Sequence, residues 1–407
     1  MKHIKMFHAA LATFAITLAG GYAFAEDAPE VEETPVVTKV KSLKPKYTSI
    51  MTIEGYSGET ELENFPVPVR ISTANIPGFD YSKCDGEGDI TFTDDEGNIL
   101  PHEVEVWNTE GESVAWVSVP KLSTVVAEDT TTYTTFKMHW GHETKLVDTK
   151  ATEVWTAANY VGVWHMNDIY NPEGSSQYDA TGNGNTATYI TNLSDSGTSS
   201  DGIIGNTFYN GSGRDGNDGS TACVTTKNLT DNIKVDWNGC TISGWSRWCD
   251  FDATSGSKWL YYIGTSSSGS YAWGIQVVEK VVKAKFGNKT ACSLTTQSAS
   301  SGLSPKNWFN WAVRVSNKSS YDYFLNSEKA SCTLPSAAST MKKYSSQSTT
   351  SSWYCGGVKG YIDEYRIRNA ISSDDWIKAE YDSINNKQFV VASEAVKNSN
   401  GLKIIVR

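Results

Sequence analysis

From Tyr47 to Gly141 the apolar residues come in short alternating runs, each cut off by turn-forming residues, and no apolar stripe at helical spacing lasts beyond about two turns. Phe65-Pro66-Val67-Pro68-Val69-Arg70-Ile71 is one such run. Ile90-Thr91-Phe92, Val104-Glu105-Val106-Trp107, Val114 to Val119 and Thr131 to Trp140 are others, with Asp94 to Asn98 as a turn. A period of two buries one face of a strand, so residues 47–142 are predicted to be a β domain. Composition extends the reading to the whole chain. The 33 Gly, 20 Tyr and 14 Trp among 407 residues call for many short strands, many turns and more aromatic rings than a core alone requires. The predicted fold class is all-β.

The N-terminus carries the three parts of an export signal: Lys2 and Lys5, an apolar stretch from Ala9 to Gly21, and Ala23-Phe24-Ala25 as a small-x-small cleavage site. Residues 1–25 are therefore read as a signal peptide and 26–46, rich in Glu, Pro, Val, Thr and Lys, as a linker. No later window approaches about 18 uninterrupted apolar residues, so the mature chain has no predicted membrane span. Its expected location is the periplasm, the cell surface or the extracellular space. The formal net charge of −11 becomes −13 once Lys2 and Lys5 leave with the signal. Such a balance argues against nucleic acid as a partner, because phosphate binding needs clustered Lys and Arg.

Seven cysteines follow the cleavage site, none in a C-x-x-C pair, so zinc-ribbon and thioredoxin chemistry fail on spacing. Cys223, Cys240, Cys249, Cys292, Cys332 and Cys355 are candidates for three disulfides of undetermined connectivity. If 241–248 is one strand, Cys240 and Cys249 lie roughly 30 Å apart and each needs another partner. Cys84, the odd one, is expected to be a buried free thiol.

The ordered series Asn64-Phe65-Pro66-Val67-Pro68-Val69-Arg70, Gly78-Phe79-Asp80-Tyr81, Asp89 to Asp94, Leu100 to Asn108, Val114 to Pro120 and His139-Trp140-Gly141 resembles a bacterial envelope domain of unknown function. That domain is found upstream of laminin-G-like modules. After a connector, 143–158, the blocks Gly162-Val163-Trp164-His165-Met166, Asp179 to Asn185, Gly202 to Phe208, Thr241 to Trp245, Trp308 to Val315 and Gly360 to Ile367 resemble a concanavalin A-like, laminin-G-like jelly roll. The resemblance implies a two-sheet sandwich over 159–392, leaving 393–407 as a tail. One helix is predicted, capped by Ser372 with Asp375 behind it, carrying Trp376, Ala379 and Tyr381 and ending at Asn385-Asn386.

Alternation places Tyr361, Asp363, Tyr365 and Ile367 on one strand face, with Ile362, Glu364 and Arg366 on the other. Asp363, among apolar neighbours, needs a compensating partner. The jelly-roll resemblance implies a structural calcium ion held by Asp363 with Asp179 and Asn183 of the turn-rich loop. Bonds from backbone amides or an Arg are the alternative. Glu103 and Glu105 share a strand face, but without the third acid of the alternating glucanase trio they read as a solvated face. His102, His139, His142 and His165 read as ordinary surface or core histidines. The Ser255-Gly256-Ser257-Lys258 run and the Gly-rich 211–219 lack the context of a nucleophile or phosphate site.

Aromatic residues remain. Trp259, Tyr261, Tyr271, Trp273 and Trp353 lie in Ser- and Gly-rich surroundings, and flat rings beside polar groups are the usual construction of a sugar site. The sequence thus points to an exported, non-catalytic protein that binds carbohydrate or a cell-surface protein through the jelly-roll domain. A glycoside hydrolase or lyase with an atypical site, and a structural envelope or matrix component, are the alternatives.

Overall fold

The computed structural model describes residues 42–125, 132–144, 146, 148–168, 176–189, 197–210, 224–226, 236, 238–248, 257–264, 273–278, 281–286, 289–293, 307–316, 320–330, 352–355, 360–399 and 404–405. These fall in one unit, Val40–Arg407. The signal segment and residues 26–41 of the linker lie outside the described residues. The chain is all-β, as expected, and its described strands form antiparallel pairs.

The first part contains β1 (Tyr47–Ile53), β2 (Leu62–Ile71), β3 (Thr91–Thr93), β4 (His102–Val106), β5 (Ser113–Leu122) and β6 (Thr134–Trp140). β2, β5 and β4 make a three-stranded sheet in that order. Phe65, Val67, Val69 and Ile71 of β2 are at most 1% exposed, the expected inward face. Pro66 and Pro68 are tolerated because β2 is an edge strand, where a missing N–H costs no ladder bond. Among the buried rings, Trp140 stacks on Tyr47 and meets the edge of Phe79.

A short helix α1 (Ala151–Thr156) leads into β7 (Tyr160–Trp164). Beyond it, β8 (Thr207–Asn210), β9 (Gly239–Trp248), β10 (Phe309–Ser316), β11 (Ser320–Leu325) and β12 (Gly360–Arg368) belong to one eight-stranded sheet, in which β12 lies between β8 and β9 and also pairs with β7. A second eight-stranded sheet contains Ser257–Gly264, Trp273–Val278, Val281–Phe286 and Ser352–Cys355. These are the two sheets of the expected sandwich.

The predicted helix is present as α2 (Asp374–Asn385), but its cap is Ser373, whose Oγ accepts the Trp376 amide, rather than Ser372. Ser372 is already engaged: its amide donates to Thr241 Oγ1, its carbonyl accepts from Arg314 and its hydroxyl accepts from Arg368. Asp375 accepts the amides of Glu59 and Thr60. α2 buries Trp376, Ile377, Ala379 and Ile384, with Trp376 edge-on to Phe65 of β2.

The chain then returns to the first part. β13 (Val390–Ala392) and β14 (Val396–Lys397) both pair with β1, and Ile404–Ile405 pairs with Ser42–Leu43. The buried apolar cluster accordingly runs without a break from Met51 and Phe65 through Trp155 and Val163 to Trp245 and Trp376.

Two of the register shifts among the described strands fall at acidic residues. Against β5, the register slips between Val104 and Val106, making Glu105 the extra residue. In β12, Glu364 and Tyr365 stand opposite Gly244 alone, and Glu364 takes a φ of 51°. A Cβ on Gly244 would come within 2.8 Å of the buried Trp311 ring and 3.1 Å of Tyr365. Gly244→Ala is therefore expected to destabilise the protein by about 1–3 kcal/mol through overpacking, read as a lower midpoint of urea unfolding.

Candidate functional site

The two bulged acids meet at one histidine. His165 follows β7, and its Nδ1 lies 2.8 Å from Glu364 Oε1 and 3.3 Å from Glu105 Oε2; its Nε2 lies 3.6 Å from Glu103 Oε2. Each carboxylate also accepts from a separate donor. Trp155 Nε1 donates to Glu103 at 2.6 Å, Trp116 Nε1 donates to Glu105 at 2.6 Å, and Arg366 Nη2 donates to Glu364 at 2.5 Å. Arg366 lies over the Trp116 and Trp155 rings, 4.4 and 5.0 Å from their centroids. Beyond it, the Tyr160 hydroxyl donates to Glu380.

This arrangement overturns the solvated face expected for Glu103 and Glu105. The Glu105 side chain is 0% exposed and that of Glu103 21%, because the indoles and His165 cover them. The bulge also defeats the expected alternation in β12, since Asp363 and Glu364 are adjacent yet both buried. His165 had no sequence signal beyond its place after an apolar run. The bulges, which carry the information, are visible only in the pairing.

Charge is distributed unevenly. Burial raises the Glu105 carboxyl, His165 only partly offsets this, and Glu364 adds to it, so Glu105 titrates at about 8. Burial also acts on Glu364, but His165 and Arg366 more than reverse it and hold this carboxyl at about 2. Burial opposes protonation of His165, yet Glu105, Glu364 and Glu103 together raise it well above the usual histidine range. At neutral pH the imidazolium faces an ionised Glu364 and a protonated Glu105.

Glu105 also lines a cleft of about 690 Å³. Trp107 and Asn108 follow it along the chain, Asn167 donates to its Oε1 at 3.4 Å, and Asn206, Arg70, Glu112 and Lys387 contribute further polar groups. Arg70 Nη1 donates to Glu112 at 2.7 Å, and Glu112 also accepts from Asn75.

The residues expected to hold calcium are distributed differently. Asp363 is 0% exposed; its Oδ2 accepts the amides of Ile203 and Ile204, and its Oδ1 that of Glu364. Asp179 accepts the amides of Val163, Thr181 and Asn185 and the Thr181 hydroxyl. Asn183 is exposed and donates to the Val161 carbonyl. Both aspartates accept backbone amides. Among the described residues, the cluster of ligand-type side chains is Glu105, His165 and Glu364.

Trp259 and Tyr261 lie on Ser257–Gly264, Trp273 opens Trp273–Val278 and Trp353 lies on Ser352–Cys355. Trp273 and Trp353 are register partners of Ile263 from either side, and Tyr261 is paired with Ile275, which is fully buried. Tyr271 lies outside the described residues, as do Cys223, Cys249 and Cys332. Cys292 and Cys355 lie on strands. Cys240 departs from its expected role in a disulfide: it is a free thiol, 0% exposed in β9. Cys84 is free and half-buried, its thiol pushed up to about 12 by burial. His139, held between the hydroxyls of Thr48 and Thr93, and His102, bonded to the carbonyls of Leu100 and Ile90, are core histidines, as expected.

No family model matches this chain, and neither does any curated protein. Among solved structures, the binding domain of Paraclostridial Mosquitocidal Protein 1 aligns with 56% of this chain and 53% of its own length, at 15% identity and a TM-score of 0.39. The botulinum neurotoxin serotype D binding domain covers 55% and 51% at 11% identity, TM-score 0.37. Trypanosoma rangeli sialidase covers 71% and 43% at 10% identity, TM-score 0.38. The chain thus spans about half the length of the first two and less of the third.

Because the fold holds the Glu105 proton at a pH where an unfolded glutamate has lost it, folding binds this proton from about pH 4.5 to 8, and stability falls as pH rises through that window. Glu105→Gln is expected to flatten this part of the curve of thermal midpoint against pH. An unchanged slope would show that Glu105 is ionised in the fold.

Proposed function

We propose that this chain is an exported binding protein of the bacterial envelope or extracellular space, and that it recognises carbohydrate through the cleft beside Glu105. The observation that carries the reading is the lining: an indole, Trp107, beside the amides of Asn108, Asn167 and Asn206 and the charged groups of Arg70, Glu112 and Lys387. A pyranose offers a flat C–H face and a rim of hydroxyls, which such a set of groups complements. The volume suits a short saccharide rather than a protein loop of any length. The resemblance to an envelope domain followed by a laminin-G-like module, and the export signal in residues 1–25, support the compartment. A cell-surface protein remains the alternative partner, through a glycan or a side chain entering the same cleft.

A hydrolase reading is favoured by one observation, a buried carboxyl group beside the cleft that keeps its proton to about pH 8. General acid catalysis uses such a group, together with a second carboxylate across the bond. Glu112, also on the lining, is tied to Arg70 and Asn75.

The test is a glycan array with the mature chain, followed by calorimetry on whatever binds. Asn206→Ala should weaken binding about tenfold or more, a loss of about 1.4 kcal/mol, without lowering the thermal midpoint, and Trp107→Ala should weaken it at least as much. Retention of full affinity by both variants would move recognition away from the cleft. Release of reducing ends from a bound polysaccharide, abolished by Glu105→Gln, would establish the hydrolase instead.

A further inference from the structure

Around His165 the protein gathers more acceptors than a lone imidazolium needs. Glu105, Asp363, Glu364 and Glu380 are all buried there, with Arg366 and His165 as the adjacent cations. The His165 proton on Nδ1 has two carboxylate acceptors on one side, while Nε2, in a side chain 7% exposed, has no hydrogen-bond partner. A buried imidazole nitrogen without a partner is an unusual feature that calls for a cause.

We propose that Glu105, His165 and Glu364 bind one divalent transition-metal ion, zinc being the best match to one imidazole and two carboxylates. The facing oxygens of the two glutamates and His165 Nδ1 all lie within 4.8 Å of one another. With a cation on Nδ1, the imidazole keeps its proton on Nε2, and that otherwise partnerless N–H is directed toward Glu103 Oε2 at 3.6 Å. A carboxylate behind the non-ligating nitrogen is the outer partner that metal-bound histidines commonly have. The other two members have outer partners as well, Trp116 on Glu105 and Arg366 on Glu364. On Glu364 the bond takes Oε2 and leaves Oε1 toward the histidine, whereas on Glu105 Oε2 both accepts from Trp116 and faces His165.

Two further observations agree. Both glutamates sit at β-bulges, the local device that re-aims a side chain out of strand alternation. Glu364 holds a left-handed φ that a non-glycine residue adopts at a cost. Entry is provided by the cleft, whose wall includes Glu105 itself. The ion would join the first part of the chain, through β4, to the second, through β7 and β12. This inference does not depend on the ligand of the cleft. It also differs from the calcium expectation, which concerns Asp179, Asn183 and Asp363.

The experiment uses the mature chain, stripped with a chelator and returned to metal-free buffer. Calorimetric titration with Zn²⁺ should show one equivalent bound, and Co²⁺ should give a visible d–d absorption band. Zn²⁺ should raise the thermal midpoint, since a ligand of the folded state alone stabilises it. Glu364→Gln and Glu105→Gln should each weaken Zn²⁺ binding at least 100-fold, and Glu103→Gln 10- to 100-fold through the outer partner. Asp179→Asn should leave it unchanged. Because the acid variants also disturb a buried cluster, the wild-type protein supplies an independent reading: absence of stoichiometric Zn²⁺ and Co²⁺ uptake overturns the proposal. So does uptake that survives Glu364→Gln and Glu105→Gln, or binding of Ca²⁺ alone with loss in Asp179→Asn.

Discussion

The fold depends on how a group of charges is kept out of water where its two β parts meet. Glu103 and Glu105 come from β4, His165 from the end of β7, Glu364 and Arg366 from β12 and Glu380 from α2. None of these could be buried alone, because an isolated ionised carboxylate in an apolar interior neutralises or draws in water. Together they satisfy one another, and Trp116 and Trp155 serve twice, as N–H donors to the glutamates and as the rings on which Arg366 lies. Buried ion pairs add little net stability over apolar residues of the same shape, but removal of one partner costs about 3–5 kcal/mol.

The path of the chain also holds the two β parts together. α2 packs on β2, and β13 and β14 complete the sheet of β1, so the last described segments belong spatially to the first. A connection of this kind leaves few ways for the two β parts to separate without also tearing out strands. The arginines along β12 extend it: Arg368 donates to the Ala158 carbonyl and lies over the Trp376 ring, tying the connector to α2. Arg314 does the same at the other edge, joined to Asp322 and Asp374.

Much of the architecture was legible in the sequence because period-two alternation is a local property. The inward Phe65, Val67, Val69 and Ile71, the long strand ending at Arg368 and the helix bearing Trp376 and Ala379 are where the pattern places them. The helix cap moved by one residue because Ser372 was drawn into bonds with Thr241, Arg314 and Arg368, partners remote in sequence. The site was not legible for the same reason on a larger scale. Glu105 and Glu364 read as members of alternating faces, and only the pairing reveals that each is the additional residue of a bulge. Cys240 likewise looks like any of six candidate half-cystines until the sheet shows it sealed in the core.

The same bulge decides what lies on either side of β4. The extra residue at Glu105 turns its carboxyl inward to His165 while Trp107, past the end of the strand, lines the cleft. The wall between cluster and cleft is then a single side chain, with Asn167 bonded to its outer oxygen. A ligand that displaced Asn167 from Glu105 would alter the hydrogen bonding of a carboxyl whose other oxygen faces the imidazole. Glu105 is thus the residue shared by the cleft lining and the buried cluster that joins the two β parts.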